Sequence, residues 1–427
     1  MKKGLITPQA FQKWQGGHPW LRADDILHPK NLPHRPSAIF FGENWWLCSP
    51  KSFLRLRRFG PPQPQWMKNP RTESITNADQ FRSYFGEWLV QHLTETLEKK
   101  IRAVLKPNDD IVLRWIFSEA DWLPGLTVDI FKNTLVCQIT TAPIEAFWPA
   151  LRELLETAFA ERFGYTPHIF ELRNSPVRKK EGLEIITPTS DKIVELSPLR
   201  PHPLRWNGYM WHFQLYPPTQ KTGAYLDQRD NHTRAAEVAK TRGLKTAWDI
   251  CCYQGGFTLP LLDQGLTVTA VDQSQDALET LKKNIKINAL PEPPCNIVKA
   301  DAFKWLHEQR ARSQTVDLII LDPPSFVKSR ESLPTARKGY IELNRLALEC
   351  LTPQGVLVSC VCSHHMRPDD YRKVLEAAAA PNKIQILERH GPSADHPVLS
   401  AFPEGDYLHA WFAQRVVDSE QMNCQMS

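Results

Sequence analysis

A carboxylate that follows an apolar strand and precedes two prolines is a chemical group held in a fixed place. Val316 to Leu321 reads as such a strand, and Asp322-Pro323-Pro324-Ser325-Phe326 follows it. Neither proline has an N–H to donate, so the ladder stops there. Asp322 is thereby held at the strand's C-terminal edge, where open α/β sheets bind their ligands. A plain strand end followed by a rigid turn would look the same, but three neighbouring strand ends add to the pattern. One ends in Tyr253-Gln254-Gly255-Gly256-Phe257, a Gly-Gly turn into a helix that lets a ligand approach the backbone closely. The next ends in Ala270-Val271-Asp272, an acid about 16 residues beyond Gly256, where a ribose diol is gripped. The third ends in Lys299-Ala300-Asp301-Ala302-Phe303, an acid beside an apolar pair able to sandwich an adenine. Each acid alone would serve as a helix N-cap. Asp272, Asp301 and Asp322 in order behind the glycine turn describe a nucleoside pocket with a reaction corner, which favours S-adenosylmethionine as cofactor.

A further strand supplies Val358-Ser359-Cys360-Val361-Cys362-Ser363-His364-His365. Residues 360 and 362 share one face when extended, because strand side chains alternate. Cys360, the deeper of the two, reads as an inert small hydrophobe. Cys362 lies nearer the C-terminal end, beside the Asp322 corner in the expected sheet. A thiolate there can attack carbon 6 of a pyrimidine and make carbon 5 nucleophilic toward a methyl donor. A zinc site normally needs a recognisable second ligand pair, so no metal is expected.

The elements that must position these groups follow from periodicity. From about residue 246 strands and helices alternate, with strands near 246–252, 267–272, 296–300, 316–321, 355–362, 383–388 and 408–415. That pattern predicts a doubly wound, mainly parallel sheet. Residues 1–65 read instead as short strands broken by Gly and Pro, closed by the exit Gly60-Pro61-Pro62-Gln63-Pro64. A helix is predicted over 78–105, with Asn77 as N-cap and Phe81, Phe85, Trp88, Leu89 and His92 on one broad face. Trp88 and His92 read as core side chains. Strands at 111–117, 126–130 and 134–139 and a helix over 143–163 complete a central α+β unit. Asn207-Gly208 predicts a hairpin turn ahead of an alternating stretch at 210–216, and the tail after Val417 reads as loose.

With 427 residues, 42% hydrophobic and 23% charged, the chain has room for two or three domains with their own cores. No apolar run reaches the roughly 18 residues that span a bilayer, and Met1-Lys2-Lys3 is not followed by the apolar core of a secretory signal. A cytoplasmic protein without membrane partners is expected. The nine cysteines are odd in number and show no paired spacing, which suits reduced thiols better than a disulfide frame. The net charge of +5 is informative once located. Residues 1–70 hold eleven Lys and Arg against three Asp and Glu, whereas the rest of the chain has 41 against 44. The same segment has ten Phe and Trp, with Lys51, Arg55, Arg57 and Arg58 beside Trp45, Trp46, Phe53 and Phe59. Phosphate neutralisation and base stacking call for that mixture; a small β-domain with core aromatics and solvated charges would show it too. Arg173, Arg178, Lys179 and Lys180 form a second basic knot, which lines a nucleic-acid path or is merely solvated. Lys51, Arg55, Arg57, Arg178 and Lys179 are the candidate RNA contacts.

Taken together, Tyr225-Leu226-Asp227-Gln228-Arg229-Asp230-Asn231, Tyr253 to Phe257, Asp322 to Phe326, Arg337-Lys338-Gly339-Tyr340, Ser359 to Ser363 and Ala394-Asp395-His396-Pro397-Val398 resemble a bacterial family. It is the class I S-adenosylmethionine-dependent 5-methylcytosine methyltransferases of large-subunit (23S) ribosomal RNA. The resemblance covers nearly the whole chain, with Gly17 to Trp20 matching the start of the family's PUA segment and Val177 to Gly182 its domain junction. It implies an α/β fold in three parts: a small β-rich PUA-like RNA-binding domain (1–65), a central α+β domain (66–195) and a Rossmann-like methyltransferase domain (196–417). It also implies that Gln228, Tyr253, Gly255, Asp272, Asp301 and Asp322 hold the cofactor, that Asp322 contacts the target base, and that Cys362 is the nucleophile. The implied partner is large-subunit ribosomal RNA, free or partly assembled; the oligomeric state is left open, a homodimer included. The chain departs from the family at Trp122, usually glycine, and at Cys360 and His364 around the nucleophile. Ser325 stands where many other RNA cytosine methyltransferases have a cysteine. Two rival readings remain: a base-nitrogen (guanine) methyltransferase in which Cys362 is incidental, and a non-catalytic RNA-binding assembly factor that keeps the pocket.

Overall fold

The computed structural model describes residues 6–41, 44–60, 74–187, 203–213, 224–290, 295–327 and 331–416. The chain forms two compact units, one of Met1–Gly208, Phe213–Ala224 and Ala394–Pro403, the other of Tyr209–His212, Tyr225–Ser393 and Glu404–Ser427. Among the described residues no helix is long and apolar enough to cross a membrane.

The first unit begins with the helix Pro8–Gln15 and an antiparallel sheet in the order Trp20–Leu21, Leu56–Phe59, Asn44–Cys48, Ser37–Phe41, Ser74–Ile75. The last of these strands lies beyond the proline-rich exit, most of which falls outside the described residues. The next element is the long helix Ala78–Val104, whose Asn77 cap accepts the Gln80 N–H at 2.9 Å. Trp45 and Phe59 turn their rings onto Phe85 of this helix, with centroids 4.9 and 5.0 Å away. The basic segment's aromatics therefore mostly form core, and Trp45, Trp46 and Phe59 are buried. His92 stacks on Trp88 and bonds the Asp121 carbonyl at 3.0 Å, a satisfied helix histidine whose basicity burial lowers.

A second sheet runs Val112–Phe117, Leu126–Phe131, Thr134–Ile139, His168–Leu172, antiparallel except for the final pair. Helix Ala142–Phe163 joins the long helix over a shared core, Phe81 stacking on Phe147 at 4.3 Å. Trp122 sits at φ 62°, a left-handed conformation that glycine adopts without cost, and Arg58 lies over its ring at 5.2 Å. Ala394–Pro403 completes the unit: the Asp395 carboxylate accepts the Arg114 backbone N–H at 2.9 Å, and His396 bonds Asp395 at 2.9 Å. Asn207 and Gly208 both adopt positive φ, 54° and 88°, as a two-residue hairpin turn requires. The predicted stretch 210–216 is described only as far as residue 213, and the tail after Val417 also lies outside the described residues.

The second unit is a seven-stranded sheet in the order Asn296–Lys299, Thr267–Asp272, Thr246–Ile250, Val316–Leu321, Leu351–Cys362, Leu408–Val416, Lys383–His390. The first five strands are parallel, and Leu408–Val416 is antiparallel to both its neighbours. Helices Thr258–Asp263, Gln275–Ile287, Ala302–Ala311, Leu333–Glu349 and Pro368–Ala379 fill the crossovers. Apolar clusters cover both faces, as all-parallel strands require.

Candidate active site

Strand order reverses at Thr246–Ile250, with the second strand on one side and the fourth on the other. Such a switch point is where open α/β sheets bind ligands, beyond the C-terminal strand ends. The turn that follows is strained, because Cys251 and Tyr253 stand at φ 64° and 49°. Each costs about 1–3 kcal/mol and needs support from its surroundings. Asp272 supplies it: one carboxylate oxygen accepts the Tyr253 N–H at 2.9 Å and the other the Ser274 N–H at 2.8 Å. Gly255, at φ 95°, has Leu281 so close beneath it that a Cβ would come within 2.3 Å of a methyl group. At Gly256 a Cβ would meet the His232 ring at 2.4 Å. Both glycines are thus fixed by packing, Gly255 by Leu281 and Leu259 and Gly256 by the His232 ring.

Asp301 caps the helix Ala302–Ala311 through the Lys304 N–H at 3.1 Å, and its other oxygen accepts the Gln273 amide at 2.9 Å. Asp272 and Asp301, on adjacent strands, are therefore linked through Gln273. Asp322 continues the ladder by one more bond, its N–H reaching the Ile250 carbonyl at 3.2 Å, before the prolines end it. Gln228 donates to the Asp322 carboxylate at 3.1 Å and accepts from Asn231 at 2.6 Å. Downstream, the Tyr340 hydroxyl takes the Phe326 N–H at 3.2 Å and pins the Ser325-Phe326 turn.

Register places the two cysteines differently. Leu321 pairs with Ser359, so Cys362 stands three residues further on, past the end of the neighbouring strand at the same edge as Asp322. Its side chain is half-buried, whereas Cys360 is fully buried among Val356, Val358 and Phe412, and burial pushes the Cys360 thiol well up. The strand is held below by Ser359, whose hydroxyl bonds Asn344 at 2.6 Å and Tyr371 at 2.7 Å.

Three residues at this edge escaped the sequence reading. Asp249 is wholly buried beneath the glycine turn; Thr258 donates to one oxygen at 2.6 Å, and the other has no hydrogen-bond partner among the described residues. Burial, with lesser help from the charges of Asp322 and Asp272, raises its carboxyl to about 7 against the Thr258 hydrogen bond. A single acid inside Ala247-Trp248-Asp249-Ile250 was the available signal. His232, behind Gly256, is kept neutral by burial, its pKa lowered to about 3. Tyr225 lies edge-on to Tyr253 at 5.2 Å; burial first, then Asp322, Tyr253, Asp227 and Cys362, push its phenol up. Tyr225 opened a motif that carried the resemblance but was given no role there, and His232, one residue past that motif, carried no signal.

The candidate RNA contacts separate into two groups, and two of them require correction. Arg57 is buried, donating to Glu181 at 2.6 Å and to the Leu54 carbonyl and Ser49 hydroxyl at 3.0 Å. Arg178 is buried as well, bonded to Glu145 at 2.9 Å and to the Ile139 and Glu184 carbonyls at 2.7 and 2.8 Å. Both guanidiniums are spent inside the fold. Lys51 and Lys179 are exposed and Arg55 is half-buried.

Comparison with known proteins extends this picture. Residues 190–402 match the family profile described as S-adenosylmethionine-dependent methyltransferase. The ribosomal RNA large subunit methyltransferase I of Photobacterium profundum is 35% identical over 402 residues, which cover 92% of this chain and 94% of that protein. Its counterpart from Pseudoalteromonas atlantica is 38% identical over 406 residues, covering 92% and 93%. Among solved structures, a methyltransferase complexed with SAH superposes with a TM-score of 0.72 at 19% identity, over 96% of this chain and 99% of that one. A methyltransferase from Streptococcus mutans gives the same TM-score at 17% identity, over 96% and 99%. The structural likeness shows the fold, and identity to named relatives over nearly the full length shows more: the chain belongs to the ribosomal RNA large subunit methyltransferase I family.

Proposed function

We propose that the protein transfers a methyl group from S-adenosylmethionine to carbon 5 of a cytosine in large-subunit ribosomal RNA, in the cytoplasm, with Cys362 as nucleophile. Residues 1–65 serve as the PUA-like RNA-binding part, 66–195 as the central domain and 196–417 as the methyltransferase domain. The observation that carries the reading is register: it brings Cys362 past its neighbour's end, to the edge that holds Asp272 and Asp322.

The residues present fit the cofactor. Carboxylates at successive strand ends, beside a turn whose two glycines leave no room for side chains, suit a ribose diol and an adenine. Asp272 takes the ribose hydroxyls, Asp301 lies on the adenine side, and Gln228, Tyr253, Gly255 and Asp322 border the rest. When bound, S-adenosylmethionine supplies an electrophilic methyl group. The chain's own residues do the remainder. Asp322, braced by Gln228, contacts the cytosine. The Cys362 thiolate adds to carbon 6, which makes carbon 5 a nucleophile. Once carbon 5 carries the methyl group, water takes its proton, the carbon–hydrogen electron pair restores the double bond to carbon 6, and the carbon–sulfur bond breaks to release the Cys362 thiolate.

A substrate RNA with 5-fluorocytosine at the target has no proton to lose at carbon 5. A covalent protein–RNA adduct that survives denaturing electrophoresis is the expected result. Near wild-type methylation by Cys362→Ala would overturn the carbon mechanism in favour of nitrogen methylation.

A further inference from the structure

Of the Phe and Trp side chains described in residues 6–60, only Phe53 is exposed, at 55%. An exposed phenylalanine is unremarkable on a floppy loop, but this loop is tied down. The Ser49 N–H bonds the Arg55 carbonyl at 2.9 Å and the Ser52 N–H the Ser49 carbonyl at 3.1 Å. The Phe53 carbonyl accepts the Ala23 N–H at 2.8 Å, and the Leu54 carbonyl is held by Arg57. The ring is thus presented to solvent by a backbone pinned on both sides of it. Arg22 approaches its face, the guanidinium carbon 6.0 Å from the centroid.

The surroundings are basic. Lys51 is exposed two residues away, and its aliphatic stem lies on Gly182, where a Cβ would come within 2.6 Å of its Cδ. The turn ending at Gly182 carries exposed Lys179 and Lys180, and it is bolted to the Phe53 loop by the Arg57–Glu181 pair at 2.6 Å. Segments some 130 residues apart in sequence are thereby brought together into one cationic rim beside one naked ring. A cationic rim attracts phosphates whatever the sequence. A rigid exposed ring offers a face to an unpaired base, which a duplex, with its bases stacked inside, has no free face to meet.

We infer that Phe53 is a stacking platform for an unpaired base of the RNA substrate, flanked by Lys51 and Lys179 on its backbone. The inference rests on the RNA reading above and deepens it by specifying a single-stranded segment. The test uses the full-length protein and two fluorescent RNAs of the same sequence, one single-stranded and one duplexed, titrated over a range of salt. Phe53→Ala should weaken single-strand binding by about tenfold, the worth of one stacked base, with the salt slope unchanged. Phe53→Trp should bind as wild type, and duplex affinity should be the same for all three proteins. Equal single-strand affinity for wild type and Phe53→Ala would overturn the platform while leaving the RNA reading intact. Full binding by Phe53→Leu would also overturn it, since an apolar contact without stacking would then suffice. Wild-type protein that binds neither RNA would overturn the RNA reading and the platform with it.

Discussion

The two units spend charge in opposite ways. In the first, cations are drawn inside and neutralised: Arg57 by Glu181, Lys100 by Asp121, Arg114 by Asp129, Arg178 by Glu145. In the second, Asp272 and Asp301 are brought to strand ends and take their hydrogen bonds from neutral donors, backbone N–H groups and a glutamine amide. A buried ion pair is a structural joint, costly to break and of little use to a ligand. A carboxylate bonded only to neutral donors keeps its charge for a ligand to meet. The contrast teaches that the count of basic residues in the first unit overstates what it offers to RNA, because its best-placed arginines are occupied.

Each side of the contrast can be broken. The largest effect belongs to the strand-end edge: Cys362→Ala should reduce methylation to background while calorimetry still finds cofactor binding, and Cys360→Ala should stay active. Were only Cys360→Ala dead, the chemistry would stand with the wrong thiol assigned. Next, Arg57→Ala should cost about 3–5 kcal/mol of stability, because Glu181 is left buried and uncompensated; urea denaturation measures it, and an unshifted midpoint would mean the pair is no joint. At Asp272, alanine should weaken S-adenosylmethionine binding by about 2 kcal/mol, as for hydrogen bonds to a charged group. Unchanged calorimetric affinity in a folded variant would remove Asp272 from the site.

Smaller effects sharpen the comparison. Asp249 has its pKa raised from 3.8 to about 7, so between those values the folded state binds more protons than the unfolded state. Stability from this group therefore falls as pH rises from about 4 to about 7 and is level above. Asp249→Asn should flatten that part of the profile in thermal melts, and a profile identical to wild type would show that Asp249 is ionised throughout. Least of all, Lys51→Ala should leave stability unchanged and lower the slope of log affinity against log salt by about one contact. A slope equal to wild type would place Lys51 off the RNA path.

How much of this the sequence held depends on what kind of signal each feature leaves. Period-two and period-3.6 patterns announce themselves, so the seven strands from residue 246 and the helix from Ala78 lay within a few residues of their predicted bounds. The strand-end acids were legible only as a set: each alone reads as an N-cap, as Asp301 is, but three in order behind a Gly-Gly turn, the last before Pro-Pro, make a pattern. Arg57 and Arg178 were misread because a buried cation is written with the same letter as a solvated one; only the distant partners Glu181 and Glu145 distinguish them. The insertion of Leu408–Val416 between Leu351–Cys362 and Lys383–His390 was also hidden, since strand order is a long-range choice that local pattern does not encode. Asp249 could have been found, as one acid in an apolar strand.

The Ala394–Pro403 segment bears on how the chain is made. Asp395 is synthesised 281 residues after Arg114, whose backbone N–H it caps. Its charge also falls on Lys100, a further 14 residues upstream. A nascent chain that has delivered all of the first unit's sheets still lacks this plug, so that unit does not finish in the usual N-terminal-first sequence. A polypeptide that ends short of residue 395 lacks the acceptor of the buried Arg114 main-chain N–H, and an unmet buried donor costs about 1–3 kcal/mol. Such a fragment is expected to open more readily and to be cut faster by a protease than the full chain.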